Sequence, residues 1–317
     1  MLATELPAWF VRVLAFVFGA TWGSFFNVAI YRWPREMSVV SPGSHCPACG
    51  KPIPGWRNVP ILAYALQRGR AACCGARMTP RYLFVEILSG VIGIAIAERF
   101  VVHAASGVSL GSAGLEALLW FAFAGGLIIA TFVDLEWLEI PDEVSIGGTA
   151  LALATVMFRP SVPIEEVVLG AGGAYLIVQL LLVWSWERLT GRRGMGEGDP
   201  KLAMFIGAFL GWRGALFALV AGSFQGIVAW TIARAAGSRI GTEHRPRRHL
   251  LARLQRAATT SRLRARARRR ARRMALPERA DEPAAAHVPF GPFLALGAIE
   301  FLFFGERILD WYLSFFE

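Results

Sequence analysis

The stretch of sequence that decides the fold is LEALLWFAFAGGLIIATFV, residues 115–133, followed directly by DLEWLEIPD, residues 134–142. The first part fits a membrane-spanning helix, because about 20 apolar residues of helix cross the hydrocarbon core of a bilayer. Asp134 therefore stands at the end of a predicted span, where a charged carboxylate is costly and becomes a candidate functional group. A second acidic motif, Gly196-Glu-Gly-Asp199, opens the apolar run 202–210 in the same way.

Two carboxylates at the same kind of boundary predict a shared site formed by Asp134 and Asp199. Neighbouring carboxylates cannot both ionise freely, which separates them into an acid and a base able to activate water. Gly196 and Gly198 precede Asp199 and allow the backbone to approach a substrate strand closely. These features predict a membrane-embedded aspartyl protease. The alternative is that both aspartates are helix-end charges facing lipid headgroups.

The composition predicts an all-α polytopic membrane protein. Hydrophobic residues make up 55% of the 317 residues, and the mean hydropathy is +0.46, which together exclude an ordinary soluble domain. The apolar runs predict about eight transmembrane helices, near residues 8–30, 82–101, 115–133, 142–158, 164–186, 200–211, 213–234 and 290–312. The sixth run is short, because a dozen helical residues rise only about 18 Å against a core of roughly 30 Å.

The basic residues predict the orientation. Segments 31–81, 187–201 and 234–287 hold 28 of the 33 Lys and Arg residues, which places these segments and both acidic motifs on the cytoplasmic side. The other five, scattered near the opposite face, are Arg12, Arg99, Arg159, Arg213 and Arg307. The predicted organisation is a first transmembrane anchor (1–30), a small cytoplasmic Cys-containing loop domain (31–81), a membrane peptidase core (82–234), an Arg-rich cytoplasmic insertion (235–289) and a last transmembrane helix (290–317).

All four cysteines lie in the first predicted cytoplasmic loop, as Cys46-Pro-Ala-Cys49-Gly and Cys73-Cys74-Gly. The first group is typical of half a zinc ribbon. The second is irregular, because position 71 is Ala where a regular Cys-x-x-Cys would need Cys. We predict a structural zinc site with Cys46, Cys49, Cys73 and Cys74 as ligands. His45 is an alternative ligand, and free thiols in a reducing compartment are the alternative state.

Residues 245–273 are rich in arginine, and two interpretations remain open for them. They fit a basic amphipathic helix that binds anionic lipid of the inner leaflet, or a solvated insertion that helps to retain the loop inside. Aromatic residues are absent between Ile240 and Pro289, so bases have no stacking platform. We therefore expect no nucleic acid partner.

Further residues are expected to support the two motifs: Gly196, Gly198, Pro141, Asp142, Lys201 and Glu86. Asp142 follows Pro141, and we expect its carboxylate to cap the first turn of the next helix. Glu86 lies inside or near the second predicted span, where a structural pairing with an arginine is the favoured role and shaping of the substrate path the alternative.

The chain resembles the type IV prepilin peptidases over segments that run almost from end to end. These are Gly23-Ser-Phe-Phe-Asn27-Val, Ile30-Tyr-Arg-Trp-Pro34, Cys46-Pro-Ala-Cys49, Trp56-Arg-Asn58-Val-Pro60, Gly69-Arg70, Pro80-Arg-Tyr-Leu-Phe-Val-Glu86, Asp134 to Asp142, Gly196-Glu-Gly-Asp199-Pro-Lys201-Leu and Pro289-Phe-Gly-Pro-Phe-Leu294. Ala71 and the length of the Arg-rich insertion depart from the family pattern.

The resemblance implies the chemistry. Asp134 and Asp199 correspond to the catalytic aspartates of the family, at the cytoplasmic boundary of the bacterial inner membrane. They would cleave a prepilin or pseudopilin after the glycine that precedes its apolar helix. The family also implies N-methylation of the new terminus with S-adenosylmethionine, associated with the first cytoplasmic loop.

Two alternatives remain. One is a peptidase of the same Gly-x-Gly-Asp type that lacks methyltransferase activity. The other is a non-enzymatic transporter or assembly protein whose acidic pair relays protons or binds a cation. Transporters tend to place such groups near the bilayer midplane, whereas both acidic motifs here lie at one face, which favours proteolysis.

Overall fold

The computed structural model describes residues 6–191, 195–237 and 289–315. These residues fold into helices, and in place of strands they contain two isolated bridge pairs, His45 with Pro52 and Arg70 with Arg77. The prediction of an all-α protein is confirmed. The Arg-rich stretch 245–273 lies outside the described residues. Both acidic motifs lie in a compact unit formed by Met1–Ser223 and Gly291–Glu317, and a second unit comprises Phe224–Phe290.

Apart from the short α2, the α-helices follow the predicted apolar runs. In chain order they are α1 (Ala8–Arg32), α2 (Leu62–Leu66), α3 (Arg81–Ala97), α4 (Leu110–Trp137), α5 (Asp142–Ala154), α6 (Ile164–Ile177), α7 (Ser185–Thr190), α8 (Asp199–Ala235) and α9 (Gly291–Leu313). Two π-helical segments, Glu98–Val102 and Val178–Trp184, extend α3 and α6. Short 3₁₀ turns occupy Trp33–Arg35, Gly55–Arg57 and Val156–Phe158.

Four stretches of helix are long and apolar enough to cross a membrane. They are Ala8–Arg35, Leu110–Trp137, Ile164–Thr190 and Asp199–Ala235, and Gly291–Gly305 is a shorter apolar helix. These helices support the prediction of a membrane protein, because lipid admits helices whose backbone groups are all satisfied internally. The count of eight spans stays a prediction.

Helices α1 and α3 pack closely through small residues. A Cβ added to Gly19 of α1 would overlap the carbonyl of Ser89, and one added to Gly23 would lie 2.8 Å from the Cα of Glu86. On α3, a Cβ at Gly93 would lie 2.7 Å from the carbonyl oxygen of Ala15. Small residues that let backbones approach are typical of helix packing within membranes.

Helix α8 is interrupted at Gly211, where φ is 71° and ψ is −178°. This backbone conformation is essentially restricted to glycine. The sequence predicted two spans, 200–211 and 213–234, and the structure places the break at the end of the first. Ala203 and Ala215, on either side of the break, share one buried cluster with Ala174 of α6.

The first segment of α8 is fixed by phenylalanine packing. The rings of Phe123 and Phe209 stack with centroids 4.7 Å apart, and the Phe205 ring lies 5.2 Å from that of Phe123. A Cβ at Gly148 of α5 would overlap the Phe205 ring, and one at Gly126 of α4 would lie 3.0 Å from it. Phe205 therefore fits between α4 and α5, and this packing brings together the ends of the helices that carry the acidic motifs.

Candidate active site

Asp134 lies in the last turn of α4 and is 6% exposed. Its Oδ2 accepts a hydrogen bond of 2.9 Å from the backbone N–H of Gly291, the first residue of α9. The first N–H groups of a helix have no partner within the helix and attract a carboxylate. A Cβ at Gly291 would lie 2.8 Å from the same oxygen, so glycine provides the space that this contact requires.

Asp199 begins α8 and is 7% exposed. Its Oδ2 accepts a hydrogen bond of 3.1 Å from the backbone N–H of Gly196, which closes a local turn. A Cβ at Gly198 would lie 3.0 Å from the Cβ of Ile140. The sequence predicts that Gly198 allows close approach of a substrate strand, whereas in the structure Ile140, from the other acidic motif, lies against Gly198.

Two contacts join the segments 134–142 and 196–201. Gly198 packs on Ile140, and Lys201 Nζ lies 2.6 Å from Asp142 Oδ1. These contacts bring together the turns that carry Asp134 and Asp199, and each of these buried carboxylates accepts a hydrogen bond from a backbone N–H. A buried pair of this kind can divide into an acid and a base.

Asp142 is separate from the buried pair. It is the first residue of α5, directly after Pro141 at the N-cap position. The side chains of Asp142 and Lys201 are 59% and 32% exposed, so their ion pair is largely screened by solvent. Asp142 lies in the first turn of α5, where a capping carboxylate is expected, but the described partner of its side chain is the ammonium group of Lys201.

Glu86 joins α3 to the loop that precedes α2. Its Oε2 accepts a hydrogen bond of 2.7 Å from the N–H of Ile61. Ile61 has a φ of 64°, and the N–H of Leu62 donates to the carbonyl of Pro60 at 2.6 Å. The described partner of Glu86 is thus the N–H of a strained turn, whereas the sequence favours an arginine.

The four cysteines come together, with all four sulfur atoms within 4.8 Å of one another. Cys46 and Cys74 Sγ are 3.8 Å apart, and Cys49 and Cys73 Sγ are 3.4 Å apart. Zinc with four thiolate ligands at about 2.3 Å sets sulfur–sulfur separations near 3.8 Å, so the donor set fits this metal. Backbone N–H groups, that of Cys49 foremost, lower the pKa of Cys46 to about 7, which favours the thiolate that binds zinc.

The two cysteine turns have matching backbones. Gly50 N–H donates to the carbonyl of Cys46 at 2.8 Å, and Gly75 N–H donates to the carbonyl of Ala71 at 2.7 Å. Both glycines have a positive φ, 73° and 71°. Ala71 therefore occupies in the second turn the position that Cys46 occupies in the first. Cys73, two residues after Ala71, brings a sulfur atom to the cluster in its place. Among the described residues of this cluster the four sulfurs complete the donor set without His45.

Sequence reasoning missed the roles of Gly291 and Arg159. Gly291 lies in Pro289-Phe-Gly-Pro-Phe-Leu294, where a proline directly after it signals a helix start. Arg159 is fully buried and donates to the carbonyls of Ala152 at 2.6 Å and Phe209 at 3.0 Å. These carbonyls end α5 and the first segment of α8, so Arg159 ties together the far ends of both helices. A buried cation among helix C-termini is a favourable arrangement.

The comparisons with known proteins cover both halves of the chain. A family model described as Bacterial Peptidase A24 N-terminal domain matches residues 17–100. A second model, described as the type IV leader peptidase family, matches residues 121–231, a range that contains both acidic motifs. No solved structure matches this chain.

Several curated proteins are similar to the chain over most of their length, and each carries the name prepilin leader peptidase/N-methyltransferase. The Pseudomonas putida protein is 31% identical over 259 residues, which cover 74% of this chain and 85% of the relative. The Neisseria gonorrhoeae protein is 33% identical over 254 residues, which cover 73% and 85%. The Aeromonas salmonicida (strain A449) protein is 27% identical over 340 aligned positions, which cover 99% and 97%.

Proposed function

This chain belongs to the type IV leader peptidase family, and we propose that it is a membrane-embedded aspartyl endopeptidase for type IV prepilins or pseudopilins. We assign Asp134 and Asp199 as the catalytic pair. The observation that carries the proposal is that the two acidic motifs pack against each other, with Asp134 and Asp199 both buried and each accepting a hydrogen bond from a backbone N–H. Among the described residues no basic side chain pairs with either carboxylate, and buried carboxylates at a membrane boundary are candidates for function.

The proposed mechanism divides the proton transfers between the two carboxylates. One aspartate, ionised, accepts a proton from a water molecule as the water attacks the scissile carbonyl. The other, protonated, donates a hydrogen bond to that carbonyl oxygen and then transfers its proton to the leaving amine. The N–H groups of Gly291 and Gly196 hold one oxygen of each carboxylate, so the remaining oxygens are available to water and peptide.

The proposal is tested by replacing each aspartate separately. Asp134→Asn and Asp199→Asn should each lower cleavage of a matched prepilin by about 10²–10⁴-fold, because an amide cannot transfer the proton. Both variants should remain folded in the membrane. A single variant with near wild-type turnover would contradict the aspartyl mechanism. Mass spectrometry of the new pilin terminus in the same reactions would detect methylation, and its absence would identify a peptidase without methyltransferase activity.

The topology is a further part of the proposal. Eight spans would be formed by α1, α3 with its π-helical extension, α4, α5, α6 with α7, the two segments of α8, and α9. Support comes from the coincidence of each predicted apolar run with a helix and from the asymmetry of the basic residues. Segment 31–81 would then be a cytoplasmic module, 82–234 the peptidase core and 235–289 a cytoplasmic insertion. Both aspartates would face the cytoplasm from the inner membrane.

Zinc has a structural role in this proposal. Cys46, Cys49, Cys73 and Cys74 would hold the ion, and four thiolates leave no open position for catalysis. Zinc bound there would order the cytoplasmic module by cross-linking its two turns.

Methylation rests on the names of the relatives. The pocket beside the cysteine turns is lined by Arg68, Arg70 and Arg77. S-adenosylmethionine carries two positive charges, on its sulfonium and ammonium groups, and one carboxylate. Among the described lining residues no carboxylate would offset the positive charges, so this pocket is a poor match for the methyl donor.

A further inference from the structure

An open pocket of about 500 Å³ lies in the segment that joins α2 to α3. Three arginines line it, Arg68, Arg70 and Arg77, together with Tyr64 and Thr79. All three arginines are exposed, and among the described residues no carboxylate forms an ion pair with any of them. The pocket therefore presents an unneutralised cluster of three guanidinium groups.

The backbone conformation places two of these arginines next to each other. Arg70 and Arg77 stand directly opposite each other in an isolated antiparallel bridge, where like charges destabilise the pairing. Gly69 has a φ of 66°, and a Cβ there would lie 3.0 Å from the Tyr64 hydroxyl. The turn that carries Arg68 and Arg70 thus packs tightly on Tyr64. An anion bound between Arg70 and Arg77 would remove the repulsion.

The surroundings of the pocket indicate the class of anion. Pro80 lines it and directly precedes α3, whose apolar sequence is a predicted span. On α2, Leu62 and Leu66 lie one helical turn apart and are 58% and 82% exposed. Exposed leucines beside cationic side chains at a membrane entry are typical of segments that lie in the lipid interface.

We propose that this pocket binds the phosphate of an anionic phospholipid in the leaflet next to the cysteine module. Arg68, Arg70 and Arg77 donate to the phosphate oxygens, as planar guanidinium groups do in bidentate pairs. Leu62 and Leu66 enter the acyl boundary and hold the module against the membrane. This site is distinct from the Arg-rich stretch 245–273. The side of the membrane follows from the proposed topology, whereas lipid binding itself is independent of cleavage.

The experiment measures lipid retention by the full chain in detergent. Native mass spectrometry would titrate the protein with phosphatidylglycerol, with phosphatidylcholine and with inorganic phosphate. The wild type should retain phosphatidylglycerol in preference to the other two. Arg70→Gln/Arg77→Gln should weaken that retention by about 25-fold, because each cation near an anionic surface contributes about fivefold. The control Lys51→Gln/Arg57→Gln makes the same change of charge in the same module outside the pocket and should behave as wild type.

The outcomes separate the lipid from other ligands. Equal retention by the wild type and the Arg70/Arg77 variant would overturn the proposal, and so would tight binding of inorganic phosphate that displaces the lipid. Cleavage in detergent checks that each variant is folded. Leu62→Ser/Leu66→Ser tests the apolar part independently of charge. In nanodiscs with phosphatidylglycerol it should increase hydrogen exchange across residues 62–79 at least threefold, and unchanged exchange would contradict insertion of α2.

Discussion

The carboxylate of Asp134 accepts a hydrogen bond from the backbone N–H of Gly291, which lies 157 positions further along the chain. This contact connects the end of α4 to the start of α9. It orients one oxygen of a proposed catalytic aspartate by a main-chain N–H at the start of α9.

Gly291→Ala should therefore impair catalysis through Asp134. The added Cβ would lie 2.8 Å from Asp134 Oδ2, so either the carboxylate or the start of α9 must shift. A catalytic group misplaced by about 1 Å can lower the reaction rate by about a hundredfold. We therefore expect at least a tenfold loss of prepilin cleavage. Gly114→Ala on α4 is the matched control, because its Cβ would meet no atom within 4 Å and alanine favours helix.

The ion pair of Asp142 with Lys201 should matter little for cleavage. Both side chains are partly exposed, and such pairs contribute about 0.2–1 kcal/mol. Asp142→Asn and Lys201→Met should each retain more than about a third of the wild-type rate, and their effects should shrink further in high salt. A loss as large as that of Asp134→Asn would mean that Asp142 belongs to the catalytic group.

Glu86 should hold the loop before α2 in place. Glu86→Gln keeps an oxygen that can accept from the N–H of Ile61, whereas Glu86→Ala leaves that N–H without its partner. We expect faster proteolysis near residues 59–66 in Glu86→Ala and little change in Glu86→Gln. A fully buried donor without a partner costs about 1–3 kcal/mol, and the partly buried N–H of Ile61 should cost less. Similar proteolysis of both variants would show that the loop is held by other contacts.

The helices and the acidic motifs were accessible to sequence reasoning because their signals are local. An apolar run specifies a helix in lipid, and Asp134 and Asp199 were conspicuous as charges at the ends of such runs. The pairing of the segments depends on packing that no local pattern specifies. Phe205 between Gly126 and Gly148 is one such contact, and Gly291 at Asp134 is another.

Tertiary contacts give Gly198 and Arg159 roles that differ from those the sequence predicts. Gly198 is small because Ile140 lies against it, and that neighbour comes from a motif distant in sequence. Arg159 resembled a charge near the outer face, yet it is fully buried. Its burial is possible because carbonyl groups from two helix ends converge on it, and that convergence exists only in the folded chain.

The irregular cysteine spacing allows a direct test of whether Cys73 is a zinc ligand. If Cys73 supplies the sulfur that Ala71 lacks, Cys73→Ala should weaken zinc binding, with at least half of the metal lost to a chelator that spares the wild type. Ala71→Cys/Cys73→Ala restores the regular spacing and should recover the metal, because the two turns have the same backbone hydrogen bonds. Metal analysis of the purified proteins measures this. Less than about a tenth of an equivalent of zinc in the wild type, with reactive thiols, would exclude the zinc site.

Arg159 should stabilise the membrane core from the end remote from the aspartates. Its guanidinium donates to carbonyls of Ala152, Ala208 and Phe209, and it lies 4.5 Å from the centre of the Phe209 ring. Arg159→Met would remove this donor from the three carbonyls, and we expect a loss of about 2–4 kcal/mol in the free energy of unfolding.

The matched control is Arg213→Met, because Arg213 is exposed and its described ring contact is with Trp212. Thermal unfolding in detergent, followed by tryptophan fluorescence, would compare the two variants. Arg159→Met should unfold at a clearly lower temperature, and cleavage measured well below that temperature should remain, since Arg159 contacts neither aspartate in the described structure. If Arg213→Met were equally destabilised, the effect would reflect loss of surface charge. If Arg159→Met stayed as stable as wild type, the carbonyls of α5 and α8 must have another donor.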